Sequence, residues 1–288
     1  METNLRLFLD TNILLDLVDG YEGNCSKELI DVAVNLDYPK ISLLTSEFVL
    51  QEAFEVAKQN RYIGTMVAQP GWSFKRAHRG IRNFDKIDIG DLASQGQEIQ
   101  NDLNRIMEEI LVVDKLFAAS AEDYDYVGFL QARSRITHKD AVILRDALIS
   151  ESHFFVTCDS AIKKGMLELI SEIQWNKEIN VVVPDELLTP DKQHIRQQVL
   201  GEHLRTFGPQ VGTILNFYRD CSVAQLEVCE PLVNGDSLII LQETGPFEFR
   251  VDGMRLNGEE VDRVDTGNVT VKTPQATSRG AAVLKMED

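Results

Sequence analysis

Four carboxylates in this 288-residue chain occupy positions from which they could gather a cation. Asp10 ends the apolar run Leu7-Phe8-Leu9 and precedes Thr11-Asn12 and the helical pattern that begins at Ile13-Leu14-Leu15. Glu52 lies three or four residues from Phe48, Val49 and Val56, so it shares their helix face. Asp140 precedes Ile143, Leu144 and Ala147 by three, four and seven residues, again the spacing of one face. Asp159 repeats the order seen at Asp10: an apolar strand over His153–Thr157, an acid, then a helix from Ser160. Asp10 and Asp159 also read as helix caps, and Asp140 as a first-turn acid favoured by the helix dipole. Glu52 resists such a reading, because a carboxylate on a core-facing stripe is costly unless paired or metal-bound. Asp146 follows Asp140 by six residues, roughly 120° around an ideal helix, and reads as an accessory or surface residue.

Four carboxylates in one pocket repel each other and require protons or cations. A set of oxygen donors without convergent His or Cys points to a hard ion, Mg²⁺ or Mn²⁺. Such an ion accepts phosphate oxygens, acidifies a bound water and stabilises a leaving oxygen. The chemistry expected is therefore phosphodiester hydrolysis rather than acyl transfer.

The elements that must position these acids alternate between strand and helix. Leu5–Leu9 and Ile41–Leu44 read as strands; Ile13–Val18 starts a helix, and Ser26–Leu36 reads as a second helix or a long continuation of the first. Thr45 or Ser46 starts a helix that runs to about Gln59. Residues from about 60 to 135 read as mostly helical, with a turn at Pro70-Gly71 and helical periodicity over Asp102–Leu111. Lys139–Ser150 and Ser160–Glu172 read as helices, and Asn180–Val183 as a last strand before Pro184. This alternation predicts a parallel sheet flanked by helices. Asp191–Phe207 reads as a connecting helix. Beyond Gly208, short apolar strands alternate with turns at Asn234-Gly235-Asp236, Thr244-Gly245-Pro246, Asp252-Gly253, Asn257-Gly258 and Thr266-Gly267. That texture predicts a small all-β barrel or sandwich. The expected layout is an α/β domain over 1–190 with a helical insertion at about 60–135, a connecting helix over 191–208, and the barrel over 209–288.

The formal charge is -17, the wrong sign overall for a nucleic-acid binder. Yet Val56–Phe84 contains no Asp or Glu and carries Lys58, Arg61, Lys75, Arg76, Arg79 and Arg82. Such a strip can hold a polyanion while the acidic body resists nonspecific contact; a solvated helix face is the plainer reading. No apolar run is long enough to span a membrane, and the first residues lack the layout of a secretion signal, so the cytoplasm is the expected compartment. Cys25, Cys158, Cys221 and Cys229 form no C-x-x-C and read as buried, reduced thiols; Cys221 and Cys229 could face each other in a hairpin, without a disulfide being expected in the cytosol.

The residues around the four acids resemble a PIN-domain nuclease over about 5–185. The motifs are Phe8-Leu9-Asp10-Thr11-Asn12, then Thr45-Ser46-Glu47-Phe48-Val49-Leu50-Gln51-Glu52, then Asp140-Ala141-Val142-Ile143 through Phe155-Val156-Thr157-Cys158-Asp159. The resemblance implies a PIN-like α/β fold, one or two divalent ions on Asp10, Glu52, Asp140 and Asp159, and support by hydrogen bonding from Asn12 and Thr157. The insertion between the second and third acids is longer than in small toxin-type members, and Ala161 stands where many relatives carry a further acid. The C-terminal segments Val211-Gly212-Thr213-Ile214, Val223–Val228 and Pro231–Asp236 resemble the second, β-barrel domain of translation GTPases, which helps such proteins dock on ribosomes or tRNA. The phosphate loop G-x-x-x-x-G-K-[S/T] is missing, so the chain is not itself a GTPase.

Together these readings predict an Mg²⁺- or Mn²⁺-dependent endoribonuclease, with Asp10, Glu52, Asp140 and Asp159 catalytic. Trp72, Lys75, Arg76, Arg79 and Arg82 would bind RNA, aromatic rings stacking on bases while cations hold phosphates; Trp72 buried in the insertion core is the bland alternative. The barrel would direct the nuclease to structured or translation-associated RNA, a ribosome or tRNA. The rivals are a catalytically silent RNA- or protein-binding module, a toxin-like nuclease controlled by a regulatory protein, and a DNA flap or single-strand nuclease. PIN-like domains often pair, which implies a homodimer, and no membrane partner is expected.

Overall fold

A computed structural model describes residues 4–20, 25–80, 89–112, 127–132, 136–172 and 179–286. The chain divides into two compact units, one of Leu5–Asn35 and Ile41–Asp191, the other of Met1–Asn4, Leu36–Lys40 and Lys192–Asp288.

The first unit is built on five strands: β1 (Asn4–Leu9), β2 (Lys40–Thr45), β3 (Ile110–Val112), β4 (Phe154–Val156) and β5 (Asn180–Val182). Their spatial order is β3-β2-β1-β4-β5. The pairs β1·β4, β4·β5 and β2·β3 run parallel, with Leu9 opposite Val156 at the carboxyl end of the central pair. From β1 the chain builds outward to β2 and β3, then returns to the other side for β4 and β5. The order therefore reverses between β1 and β4, and a crevice forms there outside the carboxyl ends of the strands.

Leu5, Leu7, Phe8 and Leu9 are all sealed from solvent, as a central strand buried on both faces requires. The rings of Phe8 and Phe155 stack with centroids 5.9 Å apart.

Helices flank this sheet: α1 (Thr11–Asp19), α2 (Cys25–Asn35), α3 (Glu47–Val67), α4 (Phe74–Gly80), α5 (Ile89–Ile106), α6 (127–132), α7 (His138–Ile149), α8 (Ser160–Glu172) and α9 (Pro184–Leu187). Ser46 caps α3, its hydroxyl accepting the Val49 N–H at 3.4 Å. Gly20 ends α1 with φ +63, a left-handed conformation that suits glycine.

Three features depart from expectation. The helical reading of Asp102–Leu111 fails at its end: α5 stops at Ile106, and Ile110–Val112 joins β2 as an edge strand, the short apolar run preferring a sheet neighbour to a helix face. Asp146 is buried, not a surface residue, because Arg145 neutralises it at 2.5 Å. The cysteines are free but not buried, three being exposed and Cys25 intermediate. Cys221 and Cys229 lie beyond opposite ends of one strand, β7 (Val223–Val228), so they do not face each other.

The second unit begins with α10 (Gln193–Phe207) and continues through β6 (Gln210–Tyr218), β7, β8 (Leu232–Val233), β9 (Ser237–Leu241), β10 (Phe247–Arg250), β11 (Met254–Leu256), β12 (Glu259–Val261), β13 (Arg263–Val264), β14 (Gly267–Lys272) and β15 (Ala282–Lys285). Eight strands form an antiparallel sheet in the order β10-β9-β15-β6-β7-β14-β11-β12, and β8 pairs with β13. The sheet curls around Val211, Ile214, Leu226, Leu238, Ile240, Met254, Val269 and Val283. Leu200 and Phe207 of α10 pack on Ile239, Leu241 and Leu284 of the same unit. Asn257-Gly258, with φ +52 and +90, makes the two-residue turn between β11 and β12.

Gly212 lies where β6 and β7 approach closely. A Cβ there would fall 2.5 Å from the Glu227 carbonyl oxygen. Gly212→Ala should therefore destabilise the protein by about 1–3 kcal/mol, the usual cost of overpacking. Urea denaturation checks this, and an unchanged midpoint would contradict the close approach.

Candidate active site

Asp10 and Thr157 follow the carboxyl ends of β1 and β4, the two strands that flank the switch point. The Asp10 N–H donates to the Val156 carbonyl at 3.1 Å, and its own carbonyl accepts the Ile13 and Leu14 N–H groups, starting α1. Its carboxylate accepts three hydrogen bonds. Oδ1 takes the Thr11 N–H at 2.7 Å, while Oδ2 takes Asn12 Nδ2 at 2.8 Å and the Thr157 hydroxyl at 2.6 Å.

Thr157 is fully buried. Its Oγ1 also accepts Asn12 Nδ2 at 3.0 Å and the Asp159 N–H at 2.9 Å. A hydroxyl has one proton to give, and with two N–H donors already pointing at Oγ1, that proton goes to Asp10. Asn12 completes the network by accepting the Cys158 N–H at 2.9 Å. These bonds knit the ends of β1 and β4 together around one carboxylate.

Asp10 is only 3% exposed. Burial pushes its pKa from 3.8 up to about 6, against the lowering effect of the Thr157 and Thr11 hydrogen bonds; the charges of Asp140 and Glu52 raise it further. Asp10 thus lies close enough to two of the other sequence-selected acids, Glu52 and Asp140, to feel their charges.

Glu52, on α3, is held at both oxygens. Oε2 accepts the Thr11 hydroxyl at 2.8 Å, and Oε1 accepts Lys139 Nζ at 2.9 Å. Asp140, at the start of α7, forms a capping box with Thr137: Oδ2 accepts the Thr137 N–H at 3.2 Å and its hydroxyl at 2.6 Å. Asp159 turns its Oδ1 to the Ala161 N–H at 2.7 Å, and its carbonyl accepts the Lys163 N–H at the start of α8. Its backbone joins the Thr157 network, whereas its carboxylate serves its own helix.

Sequence reasoning missed Thr11, Thr137 and Lys139. Thr137 carried a signal, a threonine three residues before an acid at a helix start. Thr11 and Lys139 act across folds of the chain that no local pattern reveals.

Among the described residues, no three His, Cys, Asp or Glu side chains stand close enough to hold a metal ion between them. The donor set nevertheless suits a hard cation in kind, being carboxylate oxygen throughout. One cation, the Lys139 ammonium, already stands against Glu52.

The basic strip is only partly free. Lys58 pairs with Glu55 at 2.7 Å, and Arg61 with Glu98 and Asp102 at 3.1 and 3.0 Å. Lys75, Arg76 and Arg79 are exposed on α4, while Arg82 lies outside the described residues. Trp72 packs against Tyr62, Ile63 and Ala77, with Arg76 over its ring at 4.4 Å. The ring that projects into solvent is Phe74, 65% exposed.

No family model matches the chain, and no curated protein matches it. Solved structures that it resembles include VapBC2 from Rickettsia felis bound to a DNA fragment from their promoter, at 15% identity over 62% of this chain and 98% of that one, TM-score 0.36. VapBC-1 from nontypeable Haemophilus influenzae matches at 13% identity over 63% of this chain and 99% of that one, TM-score 0.32. The bacterial selenocysteine-specific elongation factor EF-Sec matches at 13% identity over 61% of this chain and 35% of that one, TM-score 0.23. None of the described helices is long and apolar enough to cross a membrane.

The raised pKa of Asp10 gives a stability signature. Because the folded protein binds this proton more tightly than the unfolded chain, this carboxyl's contribution to stability is full below about pH 4 and is lost as pH rises through about 6. Asp10→Asn lacks this loss. In chelator, its stability relative to wild type should improve by about 1 kcal/mol between about pH 5 and about pH 7.5. Urea denaturation at both pH values measures the difference, and a constant gap would remove Asp10 from its buried, acid-flanked setting.

Proposed function

We propose that this protein is a metal-dependent endoribonuclease whose chemistry centres on Asp10. The observation that supports this most is a buried carboxylate at the switch point of a parallel sheet, coupled by charge to Glu52 and Asp140. Elsewhere in a protein such a trio would be a pure cost.

Asp10, Glu52 and Asp140 would hold Mg²⁺ or Mn²⁺, with Asp159 completing the set. When bound, the ion supplies an activated water and charge stabilisation at the phosphate. The chain's own groups prepare that chemistry. Thr157 and Asn12 fix the orientation of Asp10, Thr11 fixes Glu52, and Thr137 fixes Asp140.

A second reading, a catalytically silent RNA- or protein-binding module, draws support from the local work each acid already performs. Glu52 is paired with Lys139, and Asp140 and Asp159 serve their helices. The two readings separate on cleavage. Under the nuclease reading, Mn²⁺-dependent cutting of a mixed RNA pool should vanish in chelator and fall by about 10²-fold or more in Asp10→Asn, the scale set by losing a charge-stabilising group. Equal cutting in all samples, or none in wild type, would defeat it. Running DNA oligonucleotides alongside tests the substrate, and co-expression with a neighbouring gene product tests a toxin-like, partner-controlled role.

RNA would be held on α4. Phe74 offers an exposed ring for base stacking, with Lys75, Arg76 and Arg79 beside it for phosphates. The ring of Trp72 is largely occupied by the insertion core and Arg76, so its part would be to fix Arg76. Along α3, Glu52 and Tyr62 are about 15 Å apart at the helical rise, so a substrate touching both regions must extend over several nucleotides. The β-sheet unit would direct the enzyme to structured or translation-associated RNA. Phe74→Ala should weaken binding of a labelled single-stranded RNA by about tenfold, consistent with one lost stacking contact. Lys75→Ala and Arg79→Ala should flatten the salt dependence by about 0.7 per phosphate contact. Fluorescence anisotropy at several salt concentrations measures both; unchanged affinity would leave α4 a solvated surface.

A further inference from the structure

The short helix α4 carries two adjacent stripes. Phe74 and His78 stand four residues apart and share one face, and Lys75 and Arg79 repeat that spacing one position on. All four residues are exposed. A single exposed ring is ordinary, but here two rings meet, with the Phe74 and His78 centroids 6.2 Å apart and their planes inclined by 31°. Among the described residues neither Lys75 nor Arg79 pairs with an acid, whereas Lys58 and Arg61 of α3 do. Two like charges one helical turn apart repel. The helix dipole favours Arg79 in the last turn but disfavours Lys75 in the first. Arg76, by contrast, is tied down: it lies over the Trp72 ring and donates to the Gly71 carbonyl at 3.2 Å.

We propose that Phe74 and His78 form one platform that takes two successive unpaired bases, with Lys75 and Arg79 on the adjoining phosphates. This rests on the reading of α4 as the RNA-holding surface, and it makes His78 a base-stacking residue. A base slotted between two rings needs about 7 Å, twice the closest carbon contact distance. At 6.2 Å the rings close on each other and offer only their outer surfaces. Successive bases of a duplex strand are about 3.4 Å apart. Neighbours seated on centroids 6.2 Å apart must be drawn out of that stack. The platform therefore selects a strand that is already unpaired and extended. Every base has a π-face, so the choice of base matters little. An acidic peptide would satisfy Lys75 and Arg79 but leave both rings bare, so a polynucleotide is the better match.

The test follows the full chain by fluorescence anisotropy on a labelled oligouridylate of about eight nucleotides, within the range of a single-strand site. Chelator is present throughout and keeps metal-dependent cutting out of the readout. Phe74→Ala, His78→Ala and His78→Phe are compared with wild type, and urea midpoints verify folding. His78→Ala should bind about fivefold or more weakly, the lower end of one lost stacking contact. His78→Phe keeps a ring and should bind as wild type does. On an abasic ribose-phosphate strand of the same length, or on the oligouridylate annealed to oligoadenylate, His78→Ala should match wild type, because neither offers an unpaired base. A loss that persists on the abasic strand, a loss that His78→Phe shares, or equally tight binding of a labelled polyglutamate would overturn the proposal. If Phe74→Ala binds weakly while His78→Ala matches wild type, this inference alone fails. If wild type does not bind the oligonucleotide, or neither alanine change alters its binding, the reading of α4 fails and takes this one with it.

Discussion

The hydrogen bond from the Thr157 hydroxyl to Asp10 is the interaction around which the acid site is organised. It spans the central strand pair at the point where the sheet changes direction, so it can form only when β1 and β4 are in register. The contacts around Thr157 follow from it. With its proton committed to Asp10, Thr157 Oγ1 is free to accept from Asn12 and from the backbone of Asp159. A buried carboxylate is tolerated here because three donors converge on it, and it remains difficult to ionise because those donors do not fully offset burial and two neighbouring charges.

The other acids are held by separate devices. Thr11 ties Glu52 to the start of α1, and Thr137 ties Asp140 to the start of α7. This division of labour keeps mutually repelling groups near one another at modest cost. Each is anchored by a bond local to its own helix or to the neighbouring one, and the remaining repulsion is stored at Asp10.

Much of this was legible in the sequence. The run Leu7-Phe8-Leu9 ending in an acid describes a buried parallel strand and its loop, and α8 has the bounds its pattern implied, because periodicity and apolar runs are written locally. The short strand Ile110–Val112 was hidden because three residues carry too little pattern to outweigh the helix before them. The burial of Asp146 depended on Arg145, a neighbour whose long side chain could equally have pointed to solvent. Within the site, Glu52 and Asp140 could be selected from their helix faces and Asp10 and Asp159 from their places after apolar strands, but Lys139 lies 87 residues from Glu52 and no spacing rule joins them. The basic strip was read as a unit, whereas acids from α5 claim Arg61 and α3 itself supplies Glu55 to Lys58.

The 21-residue helix α3 carries Glu52 in its second turn and packs Tyr62 and Ile63 against Ala77 of α4 near its far end. It works as a rigid spindle between the acid crevice and the cationic aromatic surface. Every residue inserted into or removed from a helix advances it by about 1.5 Å and rotates it by about 100°. A single-residue change in its length between those two points would therefore swing one surface out of phase with the other, even if both remained correctly folded. Replacing side chains along that span keeps the two surfaces in phase, whereas changing the residue count does not.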